Sequence, residues 1–280
     1  MKYLYLAISI FLFASCEDII DLPLEEGPKR LVIDANINWE KGTTGAEQSI
    51  RLTETAGFYD LTVPIATGAT VTITNSSNVD FPFIEEGTTG IYSTSSFVPV
   101  IDETYTLTVT YNGEEFTAEE TLLSLPKIDR IEQTTENFFG TEVIKVEFFY
   151  LDPAGIENYY FSQFSYPTDY AIDVYRTRDD NFSDGQETNF FEQDDRSTPG
   201  EELTIYLYSA SKTNFEYMNK LLAAVSSGGP FAAPPAAVQG NCINTTDPEK
   251  KPYGFFRLSQ MEVIDYTISD ENAITLPPFN

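Results

Sequence analysis

Histidine does not occur in this 280-residue chain. That removes the commonest general base and the commonest metal ligand. Ser-His-Asp and Cys-His catalysis are excluded with it, as are histidine-ligated zinc sites. Cysteine is almost as scarce, with only Cys16 and Cys242. No disulfide framework follows from two, so stability has to come from a core. Cations are few: 16 Lys and Arg stand against 44 Asp and Glu, for a formal net charge of −28. A surface of that sign repels nucleic acid and anionic membrane, and no nucleic-acid partner is expected. Long apolar runs are missing as well. Tyr3–Phe13 is shorter than the ~18 apolar residues a spanning helix needs.

What is present begins at the amino end. Met1-Lys2 is a short basic start, Tyr3–Phe13 has the length of a secretory signal core, and the small Ala14-Ser15 lead to Cys16. The arrangement resembles a bacterial lipobox, with Phe13 where an aliphatic residue is more usual. It implies a signal peptide over 1–15, cleavage before Cys16, lipidation of Cys16, and an acidic tether over 16–28. Two or more acyl chains hold a protein stably at a bilayer, at about 0.8 kcal/mol per buried methylene. Glu17 and Asp18, directly after the cysteine, resemble a surface-export signal; a plain solvated tether is the other reading. With Cys16 lipidated, Cys242 has no intrachain partner and reads as a small buried hydrophobe.

Strand signals then fill the chain. Leu31, Ile33, Ala35 and Ile37 alternate with more polar neighbours, and Ala69, Val71 and Ile73 alternate with threonines, the pattern of half-buried strands. The hairpin Thr104–Glu119 is the clearest element. Asn112-Gly113 tolerates positive φ at both turn positions, and folding there sets Val109 opposite Phe116 and Leu107 opposite Ala118. Short strands separated by turn residues predict a β-sandwich over 29–122. Leu125-Pro126-Lys127 reads as the join to a β-rich second domain over 123–280. Its strands include Ile144–Tyr150, Tyr159–Phe161 and Leu203–Tyr208, with Asp152-Pro153-Ala154-Gly155 as a turn. Two last strands are expected around Ser259-Gln260. One helix is expected over 213–226, with Phe215, Met218, Leu221, Leu222 and Val225 on one face and Thr213/Glu216 at capping-box spacing. The fold class is therefore mainly β.

Acidic side chains are the abundant reactive groups. In Arg178–Gly185, oxygen donors alternate as calcium loops require. Asp179, Asn181, Ser183 and Asp184 are the candidate calcium ligands, although Gly185 is seventh from Asp179 where an EF-hand wants glycine sixth. Turn-stabilising Asp and Asn hydrogen bonds are the plainer role. Tyr159-Tyr160 and Tyr206/Tyr208 suit either packing or a ligand surface.

Several pieces also share an order with a known family. They are Ser15-Cys16-Glu17-Asp18, Pro28-Lys29-Arg30-Leu31-Val32-Ile33, Gly68-Ala69-Thr70-Val71, Gly90-Ile91-Tyr92, Thr104-Tyr105, Asn158-Tyr159-Tyr160, Asp184-Gly185-Gln186, Gly229-Pro230-Phe231, Gly240-Asn241 and Gly254-Phe255-Phe256. In that order the chain resembles a Bacteroidota lipoprotein family catalogued as domain of unknown function four-two-four-nine. The resemblance implies that the sandwich over 29–122 is immunoglobulin-like or of carboxypeptidase-regulatory type. It implies a lipid-anchored outer-membrane protein exposed at the cell surface. It implies a non-enzymatic binding or accessory subunit of a TonB-dependent transporter or another outer-membrane barrel complex, and it carries no catalytic residue. A structural or adhesive surface protein is the alternative, and a glycan hydrolase with paired carboxylates the third reading. No cofactor is expected beyond the calcium considered above.

Overall fold

The computed structural model describes residues 27–138, 140–167, 173–194, 197–226 and 237–279. Cys16, Glu17 and Asp18 lie outside them, as do the Gly229-Pro230-Phe231 piece and the prolines that follow it. The strands are β1 (Leu31–Glu40), β2 (Gln48–Glu54), β3 (Thr70–Asn75), β4 (Asp80–Glu85), β5 (Ile91–Thr94), β6 (Thr104–Tyr111), β7 (Glu114–Thr121), β8 (Ile128–Phe138), β9 (Thr141–Leu151), β10 (Tyr159–Ser165), β11 (Val174–Asp179), β12 (Glu187–Asp194), β13 (Glu202–Ala210), β14 (Ile243–Asn244), β15 (Tyr253–Thr267) and β16 (Ala273–Thr275). The helix α1 spans Lys212–Ser226. The mainly β class is what the alternating sequence predicts.

Local rules place the first strands well. In β1, Leu31, Ile33, Ala35 and Ile37 are buried. At the β6–β7 turn Asn112 and Gly113 take φ of 51° and 79°, and Leu107 pairs with Ala118 and Val109 with Phe116. Turn chemistry and alternation thus agree on register.

Twelve strands form one large curled sheet, in the order β11-β10-β13-β15-β1-β2-β5-β4-β3-β6-β7-β14, and four form a small one, β12-β9-β8-β16. Residues 29–122, read as an immunoglobulin-like sandwich, belong to the curl of the large sheet. A first core fills that curl, from Ile33 and Leu52 to Val109 and Phe116. A second core lies between β10, β13 and the end of β15 on one side and the small sheet on the other, with Phe148, Phe164, Ile205 and Ile264 among its members.

β15 connects the two. The sequence suggests two strands around Ser259-Gln260; the structure has one strand of 15 residues. It runs parallel to β1 as far as Met261 and antiparallel to β13 from there on. Its even-numbered residues keep one face throughout. Phe256 and Leu258 enter the first core, and Ile264 and Tyr266 the second. Between them the same face turns polar and ties down the Leu125–Lys127 join. Gln260 accepts from the Leu125 N–H at 2.9 Å. Glu262 accepts from Lys41 Nζ at 3.1 Å, and Lys41 also donates to the Pro126 carbonyl at 2.8 Å.

Close approach requires glycine where β15 begins. A Cβ on Gly254, whose φ is +87°, would lie 2.0 Å from the Ile33 carbonyl oxygen, and one on Gly240 would lie 1.6 Å from that of Gly254. Asn241 then substitutes for a strand neighbour: its side chain donates to the Phe256 carbonyl at 2.8 Å and accepts from the Phe256 N–H at 2.9 Å. Two of the motif pieces, Gly240-Asn241 and Gly254-Phe255-Phe256, are thus one packing device.

Candidate functional site

The first core takes one face of β1 and β15, and a cleft opens on the other. Asp34, Asn36 and Asn38 line it from β1, Phe255 and Arg257 from β15, Phe161 and Tyr208 from β10 and β13, and Met218, Leu221 and Leu222 from α1. Its volume is about 1110 Å³, room for a small organic molecule. Phe161 and Tyr208 are directly paired across their strands. Their rings stack at 4.2 Å and 9°, and Tyr206 continues the stack at 6.0 Å.

The helix is pinned at its start. Ser211 Oγ accepts the Asn214 N–H at 3.1 Å, so Ser211 caps it in place of the Thr213 expected from the sequence. Phe215 packs on Tyr159 at 5.0 Å. The face predicted to be buried lines the cleft instead: Met218, Leu221 and Leu222 are only half-buried, and Val225 is exposed. An apolar helix face left over a cavity is unusual among packed helices.

Arg257 is a buried charge in the cleft, which Asp34, Asp173 and Arg176 also line. Its side chain is buried, with the guanidinium 4.6 Å from the Phe161 ring and 5.1 Å from that of Tyr208. One Nη donates to Asn38 Oδ1 at 2.9 Å, while Nε–H is buried without an acceptor. Among the described residues no carboxylate forms an ion pair with it. Burial pulls its pKa down; the neighbouring Tyr208 and Asp34 act in the opposite direction. A desolvated cation costs several kcal/mol unless paired, so this group is suited to an anion entering from the cleft.

The candidate calcium ligands divide. Asn181 Nδ2 donates to Asp179 Oδ2 at 2.7 Å, a local turn bond, and Ser183 is buried in the same turn. Asp184 faces elsewhere. The turn between β11 and β12 crosses from the large sheet to the small one. There one carboxylate oxygen each of Asp152, Asp180 and Asp184 lies within 4.8 Å of the others. Asp184 Oδ1 accepts the Gly155 N–H at 2.6 Å, and Asp180 Oδ2 that of Asn158 at 2.8 Å. Asp152 Oδ1 accepts from the Tyr160 hydroxyl at 2.9 Å. Burial raises the Asp152 pKa; the Tyr160 bond lowers it and Asp180 raises it further. The pieces Asn158-Tyr159-Tyr160 and Asp184-Gly185-Gln186 meet at this point.

Two signals could have found Arg257 earlier: it interrupts an apolar strand, and cations are rare in this chain. Nothing in sequence spacing could have joined Asp152 to Asp184. Of the tyrosine candidates, Tyr208 lines the cleft and Tyr159 packs against the helix.

The fold and cleft belong to a β-rich protein whose described residues include one helix, laid over the sheet. The chain belongs to the family described as domain of unknown function DUF4249, whose model matches residues 17–263. No curated protein matches it. Among the described residues no helix is long and apolar enough to cross a membrane.

Proposed function

We propose that this protein is a non-enzymatic binding subunit, lipid-anchored through Cys16 at the cell surface, that presents the Arg257 cleft to a small anionic molecule and serves a TonB-dependent transporter or another outer-membrane complex. The observation that carries the reading is the buried guanidinium with an unused Nε–H on an aromatic floor. Carboxylate or phosphate oxygens match a guanidinium edge, and the Phe161–Tyr208–Tyr206 stack with the half-buried helix face suits an apolar or planar body. The tether reading rests on the lipobox-like residues before Cys16. A partner surface is available in the loop after β2, where Phe58, Leu61 and Val63 stand largely in solvent; exposed apolar groups of this kind mark interaction sites.

A detergent pull-down of the lipidated protein from its native membrane tests the partnership. An outer-membrane barrel should co-purify, and Phe58→Ser with Leu61→Ser should weaken that recovery without changing the circular dichroism. Recovery of the lipidated chain with no outer-membrane protein would overturn the accessory role. For the cleft, thermal-shift screening with organic acids should yield a stabilising ligand, and Met218→Trp, which fills the cleft from the helix side, should abolish the shift.

A further inference from the structure

We propose that Asp152, Asp180 and Asp184 hold a divalent cation, with calcium the best fit. Three of their oxygens lie within 4.8 Å of one another, a span that fits inside a calcium shell with ligands at about 2.3–2.6 Å. Each carboxylate is already oriented through one oxygen, by Tyr160, by the Asn158 N–H and by the Gly155 N–H respectively. The second oxygens remain for a ligand.

Independent signs of a missing partner come from buried atoms that nothing satisfies. Asp152 is 1% exposed, and its Oδ2 has no hydrogen-bond donor. The Gly185 N–H lies close enough to lower the Asp152 pKa but forms no hydrogen bond with that oxygen. The hydroxyl of Tyr150, whose ring packs on Tyr160 at 5.2 Å, is buried and also unbonded. Buried polar atoms in native proteins are satisfied in the great majority of cases, and an unsatisfied carboxylate oxygen is among the most costly exceptions. No lysine or arginine among the described residues forms an ion pair with any of the three aspartates. Arg178, the nearest candidate along the chain, has its guanidinium over the Phe190 ring at 5.3 Å. Three crowded carboxylates, two of them buried, repel one another unless a cation or a proton intervenes.

The loop that carries them is already organised. The Ser183 and Asp184 N–H groups both donate to the Asp180 carbonyl, and the Asp152 N–H donates to that of Gln186. A surface depression bounded by Lys127, Asp152, Pro153 and Gly185 gives an approach. The donors are all hard oxygens, which excludes a preference for soft metals. Calcium accepts irregular angles and completes its shell with water, whereas magnesium demands near-ideal octahedral geometry.

Calorimetry with calcium and luminescence with terbium as its stand-in test the site on the full chain. The expected result is one site with a Kd on the order of 10⁻⁵–10⁻³ M. Terbium emission should be sensitised by Tyr150 and Tyr160 and quenched by added calcium. Asp184→Asn alters the exposed carboxylate, so the fold survives, and it should weaken binding at least tenfold. Asp179→Asn, in the neighbouring turn bond, should leave affinity unchanged. Absence of binding heat together with absence of sensitised emission in the unsubstituted chain would overturn the proposal. So would equal affinity in Asp184→Asn, or a pH titration showing that Asp152 holds a proton calcium cannot displace.

Discussion

Arg257 and the Asp152–Asp180–Asp184 cluster are mirror cases of one situation. Each places buried charge where, among the described residues, no ion pair forms. Their surroundings differ. Arg257 looks into a cleft of about 1110 Å³ floored by stacked rings, and its one polar contact is neutral. The aspartates sit in a tight crossover turn, each clamped by a single donor, with space between their oxygens for one ion. The first arrangement suits an organic anion, the second a bare cation. Sign of charge alone does not distinguish a ligand class; the volume next to the charge does.

The largest expected effect falls on the strand beneath Arg257 and spares the aspartates. Gly254→Ala forces a Cβ to within 2.0 Å of the Ile33 carbonyl oxygen at positive φ, and should cost about 3 kcal/mol or more, measured by urea denaturation. A cost under about 1 kcal/mol would mean that β15 and β1 are not held as close as the cleft requires.

Glu120 sharpens the comparison because it is a further buried ionisable group, bonded like Arg257 to an asparagine side chain. It is 6% exposed and accepts from Asn241 at 3.1 Å. Burial raises its pKa to about 7, against a usual value of 4.5. With the folded pKa above the unfolded one, its contribution to stability is full below pH 4.5 and is lost as pH rises through 7. Over that window the unsubstituted chain should lose up to about 3 kcal/mol relative to Glu120→Gln. Taking the difference removes the general effect of titrating the other carboxylates. Parallel pH profiles for the two proteins would show that Glu120 is solvated.

The two orphaned sites should respond alike without ligand and oppositely with it. Arg257→Met and Asp152→Asn each remove a buried charge that forms no ion pair, so stability should stay level or rise by about 1 kcal/mol. Arg257→Met should then lose the response to organic acids and keep the response to calcium, and Asp152→Asn the reverse. A loss of both responses in either variant would mean that the two sites are not separate. The smallest effect is at Cys242, which is 3% exposed and whose thiol burial pushes up to about 12. It should stay unlabelled by iodoacetamide at about pH 8 until the chain unfolds.

The strands of the first core were legible because one face is buried and the other solvated, so period-two alternation survives in the sequence. The Asn112-Gly113 turn fixed its own register for the same local reason. β15 was harder to read. Residues 255–259 are buried on both faces, under the first core on one side and against the rings of Tyr217, Phe161 and Tyr208 on the other, and alternation vanishes where both faces are covered. The helix range was close, but its cap was misplaced because Thr213 and Ser211 offer equivalent chemistry and only the chain path selects between them. The acidic site was half visible. Counting along Asp179–Gly185 found Asp184, but its companions are the residue after β9 and the residue after β11, and only the pairing of β12 with β9, which lays Glu187 beside Leu151, brings the turn to Asp152.

A crystal structure of the protein purified from its native membrane and crystallised in calcium tests both halves of the comparison at once. The account predicts anion density against Arg257 Nε in the aromatic cleft and a cation bonded to Asp152, Asp180 and Asp184. Ordered water alone at both positions would contradict it.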